Sequence, residues 1–249
     1  MSPSDLGQLI KPFIFLDQLD VDMKFAPRFS WHPHSGIATL TLLFEGGFNY
    51  EDSTGATGTM TQGAVEWMQA GGGVWHTGSG TGQRIRGYQL WVALPPELEA
   101  ASALSRYLDQ GSFPKIGPAR LILGELGQAR SPINSPSPMN YLDVCLRAGD
   151  TWRYDPPPGH EVAWVAVHEG NALTPGSIPA GELAIFDESQ APITFRAEVD
   201  TGFVLGSAVK HPHGLVMGYY SVHTSETALA QGEMNIRRIE DELRRKRKI

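Results

Sequence analysis

The chain has 249 residues, a hydrophobic fraction of 41% and a formal net charge of -7, which suits two ordinary domains or one large β domain and disfavours a general nucleic-acid surface. With 28 Gly and 18 Pro it is rich in turn formers and favours many short strands over long helices. The single cysteine, Cys145, rules out an internal disulfide, no apolar run approaches the length of a membrane span, and Met1 to Gln8 carries no signal-peptide pattern, so a reducing cytoplasmic setting is expected.

In chain order, Pro12 to Leu16 reads as a short apolar strand followed by an acidic turn through Asp17, Asp20 and Asp22. Trp31-His32-Pro33-His34-Ser35-Gly36 comes next. In an extended strand residues i and i+2 share a face, so His32 and His34 aim two imidazoles at one point. Pro33 between them donates no N–H, which marks a strand end, an edge or a bulge. A third imidazole from a neighbouring strand would complete a facial set of three nitrogens, and His76, after Gly71-Gly72-Gly73, is the candidate. Thr39 to Phe44 is a strand running to a Glu45-Gly46-Gly47 turn, Tyr50 to Gly55 a strand end and hairpin, and Gly63 to Met68 another strand. Gly78-Ser79-Gly80-Thr81-Gly82 lacks the residues of a phosphate loop and is expected to be a mobile loop able to act as a lid. Gly87 to Leu94 is the longest clear strand, stopped by Pro95-Pro96, and Glu97 to Leu108 is expected as a short helix.

After a linker at Gly111 to Pro118 the pattern restarts. Ala163 to Val167 with the Glu169-Gly170-Asn171 turn, Gly181 to Phe186 and Gly202 to Gly206 repeat the earlier segments in order, offset by 115 to 124 residues. This is a degenerate duplication of one β-barrel unit. The second copy keeps His160 but no histidine pair, and Asp187-Glu188-Ser189 stands where the His76 region would be. His211-Pro212-His213 is out of register with His32 and His34, so a solvent-exposed turn is favoured over a second metal or anion contact. Cys145 lies in an apolar strand-like run and is expected to be a buried structural thiol. Glu226 to Lys248 reads as a helix interrupted near Gly232. Its end, Arg237 to Lys248, holds seven Lys/Arg against three Asp/Glu; a solvated helix end is favoured over a contact for an acidic partner, nucleic acid or the acidic body of this chain. If the tail serves only partner binding, deleting Arg237 to Ile249 would leave oxygen consumption intact.

His32-Pro33-His34-Ser35-Gly36, Leu43 to Gly47, Tyr50-Glu51-Asp52, Thr57-Gly58, Trp67 to Gly73, His76 and Gln89 to Val92 occur in an order that resembles the pirin family. His213 to Met217 adds a match before the last helix. The resemblance implies a mostly all-β chain of two tandem cupin β-barrels (double-stranded β-helices) with a short C-terminal helix, divided at 1–112 and 113–249. It implies one divalent transition metal in the first barrel, iron first, with Ni, Mn, Zn or Cu as alternatives, on His32, His34 and His76. The family's carboxylate ligand does not carry over. Gly78 stands two residues after the third histidine, and Ala38 occupies the other usual cupin position. Glu45, Glu51 or Glu66 would substitute only if its strand faced the cavity. The family's likeness to quercetinases implies a dioxygenase acting on a small chelating molecule. Loss of the proton-accepting glutamate argues against standard quercetinase turnover. The alternative is a regulatory, protein-binding cupin whose metal is structural or absent. No membrane or nucleic-acid partner is implied.

Overall fold

In the structure, a computed structural model, residues 1–25 and 28–249 are described. The chain divides into two units, Met1–Gln110 with His211–Ile249, and Gly111–Lys210.

The first unit opens with a helical turn, α1 (Leu6–Leu9), and then β1 (Phe13–Asp22), β2 (Phe29–His34), β3 (Ile37–Asp52), β4 (Thr57–Met60), β5 (Val65–Gln69), β6 (Val74–Ala93) and β7 (Leu104–Leu108). Its sheet runs β1-β6-β3-β5-β7, with β2 added to β6 and β4 to β3. The long strands β3 and β6 are its spine. They stay paired from Ile37↔Ala93 to Asp52↔His76 because bulges at Leu43/Glu45 and Glu45/Gly47 absorb the curvature of the barrel.

The second unit holds β8 (Lys115–Ile116), β9 (Ala119–Leu123), β10 (Glu125–Leu126), β11 (Ala129–Arg130), β12 (Met139–Leu146), β13 (Thr151–Tyr154), β14 (Val162–Glu169), β15 (Asn171–Thr174), β16 (Gly176–Pro179), β17 (Leu183–Ile185), β18 (Ile193–Ala197) and β19 (Thr201–Ala208). Strands β10 and β11 pair as a separate ribbon, and the two main sheets run β17-β14-β19-β12-β9-β8 and β13-β18-β15-β16. Their inner faces enclose a core built on Tyr154, Val165, Phe195, Phe203 and Leu205. The pairing of β14 with β17 and β19, and of β19 with β12, repeats that of β3 with β5 and β6, and of β6 with β1. The duplicated order of the sequence is thus a duplicated topology.

The chain then returns to the first unit through the hairpin β20 (Val216–Gly218) and β21 (Ser221–His223) and the helix α2 (Glu226–Arg245). This differs from the expected 113–249 domain. The physical reason is burial: Ile236 and Leu243 of α2 pack with Trp75, and Trp31 and Ile239 lie against that cluster.

Several local expectations are corrected. Glu97 to Leu108 is not a helix. Pro95 to Ala101 forms turns, and Leu104–Leu108 pairs with β5, whose open edge would otherwise leave its backbone groups unpaired. Gly78 to Gly82 is not a loop but part of β6, held by β2 and β3. Glu45-Gly46-Gly47 is a bulge inside β3, with Gly46 at φ 80°. The acidic turn is instead the far end of β1. Helix α2 runs unbroken through Gly232, whose missing side chain leaves room for His223 and Ser35, both 2.5 Å from where a Cβ would sit. Cys145 is exposed, since alternation along β12 turns Val144 and Leu146 inward and Cys145 outward. His211 is buried, with its Nε2 3.2 Å from the Leu94 carbonyl and its Nδ1 accepting from the His213 N–H; that turn is a structural tie.

Candidate metal centre

Strand β2 is short, and Pro33 lies opposite Trp75, so β2 pairs only with β6 and places His32 directly across from His76. His34, two residues on, shares that face. The ring centroids are 4.2 Å apart for His32 and His76, 5.2 Å for His32 and His34, and 5.1 Å for His34 and His76. One ligand nitrogen from each lies within 4.8 Å of the other two, and among the described residues no other three His, Cys, Asp or Glu side chains converge in this way.

Each ring is held from behind by its Nδ1. His32 Nδ1 donates to the Ser30 carbonyl at 2.8 Å, and His34 Nδ1 to the Tyr220 carbonyl at 3.1 Å. His76 Nδ1 lies 3.7 Å from Glu66 Oε1, an electrostatic partner longer than a good hydrogen bond. With Nδ1 carrying the proton, every Nε2 is left with its lone pair facing the common point. The Nε2 atoms of His34 and His76 are buried with no hydrogen-bond partner. Orphaned buried acceptors are costly in a protein interior, and two of them converging with the half-buried His32 ring is what a metal ion would satisfy. The donor set fits.

Glu66 is the residue that sequence reasoning left undecided. It is buried, but it sits behind His76 and not among the nitrogens. Thr41 Oγ1 donates to it at 2.8 Å, and Tyr107 adds a second hydroxyl. Burial raises its pKa, but the His76 Nδ1–H facing it and the Thr41 and Tyr107 hydroxyls outweigh burial and hold it below the usual range, so it is a carboxylate. Glu45 lies outside, near Arg86, and Glu51 is engaged by Lys248. Asp52 is buried but is committed to the Thr54 and Ala56 turn. The position of the family's carboxylate, Gly78, is closed: a Cβ there would collide with the Phe48 ring, which packs edge-on to Phe29.

The His32 and His34 imidazoles are kept neutral. Burial, reinforced by His76, lowers the His32 pKa to about 4, and burial with both neighbours drives His34 well below its ordinary value. In the metal-free chain the folded state therefore binds fewer protons than the unfolded state between about pH 6.5 and 4. The stability these groups contribute is present above pH 6.5 and is lost as the pH falls toward 4. Chelator-treated protein should show a melting temperature that falls through this window; a flat profile would show that the rings are not buried as described.

The C-terminal segment completes the surroundings. His223 Nε2 donates to Ser35 Oγ at 2.9 Å, Ser35 to Ser221 Oγ at 2.8 Å, and Ser221 to the Tyr219 carbonyl at 3.0 Å. Glu99, 3.8 Å from His223 Nδ1, accepts from Thr224. The residue types suggest a nucleophilic triad, but the proton direction is wrong. Ser35 gives its proton to Ser221 and receives one from His223, so no base is poised to activate it. This clasp pins the hairpin beside His34 and so sets the position of the Tyr220 carbonyl. No local pattern signals it, because Ser35 and His223 lie 188 residues apart.

Comparison with known proteins agrees with this architecture. The Pirin family profile matches residues 2–92. A "Pirin-like protein" of Caulobacter vibrioides is 29% identical, covering 88% of this chain and 81% of that one. A Vibrio cholerae protein named "Putative quercetin 2,3-dioxygenase" is 30% identical over 81% of this chain and 77% of its own. The crystal structure of a quercetin 2,3-dioxygenase from Acinetobacter baumannii superimposes with a TM-score of 0.88 at 26% identity, covering 96% of this chain and 88% of that chain. With two β units of repeated topology and three converging histidines in the first, the chain belongs to the pirin family.

Proposed function

We propose that the chain is a metal-dependent dioxygenase acting on a small anionic chelating molecule of flavonol or diketone type. The observation that carries this is the convergence of the three Nε2 lone pairs of His32, His34 and His76, each ring anchored through its Nδ1. These residues would hold one divalent transition metal, iron first, with Ni, Mn, Zn or Cu suited to the same nitrogens. When bound, the metal supplies a +2 charge and open positions at which a chelating substrate and O2 come together.

The residues of the chain determine the rest. Three neutral ligands leave the positive charge uncompensated at the site, with Glu66 one imidazole further back. The site therefore selects ligands that arrive as anions. Among the described residues no carboxylate joins the nitrogens to take a proton from a substrate hydroxyl, since Gly78 and Ala38 stand at the usual positions and Phe48 fills the space beside Gly78. The substrate must lose its proton to solvent before it binds. Glu66 steadies His76 and strengthens it as a donor, as carboxylates behind metal-bound histidines do.

The same missing carboxylate favours a second reading, a regulatory cupin in which the metal is structural and a protein partner is the ligand. The exposed, unpaired Cys145 supports a reducing cytoplasmic setting, and among the described residues no helix is long and apolar enough to cross a membrane.

The test is metal analysis of chelator-free protein followed by oxygen uptake with a panel of flavonols and diketones across pH. The expected result is about one metal per chain and uptake that rises as the substrate hydroxyl ionises. A metal-loaded protein that consumes no oxygen with any of them would leave the regulatory reading.

A further inference from the structure

We propose that Tyr220, on the C-terminal hairpin, is the specificity-determining residue of the three-histidine site, its ring selecting planar aromatic chelators over small aliphatic ones. This deepens the metal-dependent function above and rests on it.

Tyr220 sits in the two-residue turn between Gly218 and Ser221 with φ 53°, a left-handed conformation that glycine adopts freely and a tyrosine adopts at a cost. A glycine would make this turn more easily. The tyrosine is retained where its backbone and its side chain both meet the site. Its carbonyl orients His34. Its ring centroid lies 5.7 Å from that of His32, 5.9 Å from His34 and 6.5 Å from Trp91. His34 and His76 are buried while His32 is half-buried, so the cluster meets solvent through the His32 ring, and Tyr220, 42% exposed, lies beside that ring. Trp91 lies edge-on to His34 at 5.0 Å. A planar aromatic ligand entering there meets the tyrosine ring, with the buried Trp91 behind it, and aromatic stacking of this kind changes affinity about three- to tenfold. A small aliphatic chelator reaches the same nitrogens without touching the tyrosine ring. The clasp of Ser35, Ser221 and His223 holds the turn in place, so the wall is fixed before the ligand arrives.

The experiment loads purified full-length protein with Co(II) and titrates it, by visible absorbance, with 4-nitrocatechol as the aromatic chelator and acetohydroxamate as the aliphatic one. Wild type is compared with Tyr220→Phe, Tyr220→Ala and Tyr220→Gly, the last suited to the positive φ and guarding against misfolding. All three keep the carbonyl on His34, so Co(II) affinity is expected to stay within about twofold. Tyr220→Ala and Tyr220→Gly should weaken 4-nitrocatechol about three- to tenfold and leave acetohydroxamate unchanged, while Tyr220→Phe behaves as wild type. Equal affinities in all four proteins, or a parallel loss of both chelators, overturns the assignment while leaving the metal site standing. Failure of wild type to bind Co(II), or binding that survives His76→Ala, overturns the metal-dependent reading and this proposal with it.

Discussion

His76→Ala should abolish metal retention while leaving the barrel folded. With no carboxylate in the donor set, each histidine is a third of what the chain supplies, and the two remaining imidazoles of His32 and His34 cannot hold a divalent ion against buffer. Metal content should fall from about one per chain to near zero. The far-ultraviolet circular dichroism should be unchanged, because the ring removed carries an unpartnered Nε2 and makes no hydrogen bond that the strands need. Glu66→Gln is the graded companion. The amide preserves the volume and can still accept from Thr41, but it removes the charge behind His76, and affinity should drop about 10- to 100-fold. Direct metal titration separates the two cases. If His76→Ala retains its metal, the site lies elsewhere. If Glu66→Gln binds as tightly as wild type, the carboxylate is only a core acceptor for Thr41 and Tyr107.

How much of this was legible in the sequence depends on the distance over which each signal acts. The His32/His34 pair could be read because a two-residue spacing fixes a shared face, and the order of strands could be read because glycines recur at matching places in the two units. Glu66 could not be placed. Val65-Glu66-Trp67-Met68 is buried throughout, so no alternation tells which side the carboxylate faces. Leu104–Leu108 reads as helix in the sequence because the decisive partner, β5, lies 35 to 43 residues back. Gly78 to Gly82 resembled a loop because glycine there serves a crowded barrel interior, where Phe48, Met23 and Ile85 occupy the space that side chains would need. Tyr220 and the Ser35–His223 clasp were invisible, since nothing local records a contact made across some 190 residues of chain. The missing carboxylate was fully legible, but its physical counterpart, the Phe48 ring closing that space, was not.

Deleting Arg237 to Ile249 should weaken both the fold of the first unit and its hold on metal, contrary to the outcome expected of a tail used only for partners. The deleted segment is basic and mostly exposed, but it carries Leu243, 4% exposed, and Ile239, which with Ile236 cover Trp75 and Trp31. Those tryptophans flank the histidines in sequence, on the opposite face of the same two strands. Trp75 Nε1 also donates to the Ile236 carbonyl at 2.8 Å, which lies at the new end of the helix. Losing the Leu243 and Ile239 packing should cost about 3–5 kcal/mol and lower the melting temperature by roughly 10 °C. The ion pairs Arg237–Glu233, Arg238–Glu242 and Arg244–Glu240 that vanish with the segment are exposed and contribute little. Apolar packing is therefore the cause, and Leu243→Ala alone should reproduce a large part of the effect, whereas neutralising Arg237, Arg238 and Arg244 together should not. Metal affinity should fall with the packing, because β2 is held on one side only, by β6, and its outer face loses its cover. A truncated protein with unchanged melting temperature and metal content would mean that the helix end rides on the barrel without supporting it, and would return the basic tail to a role in partner binding.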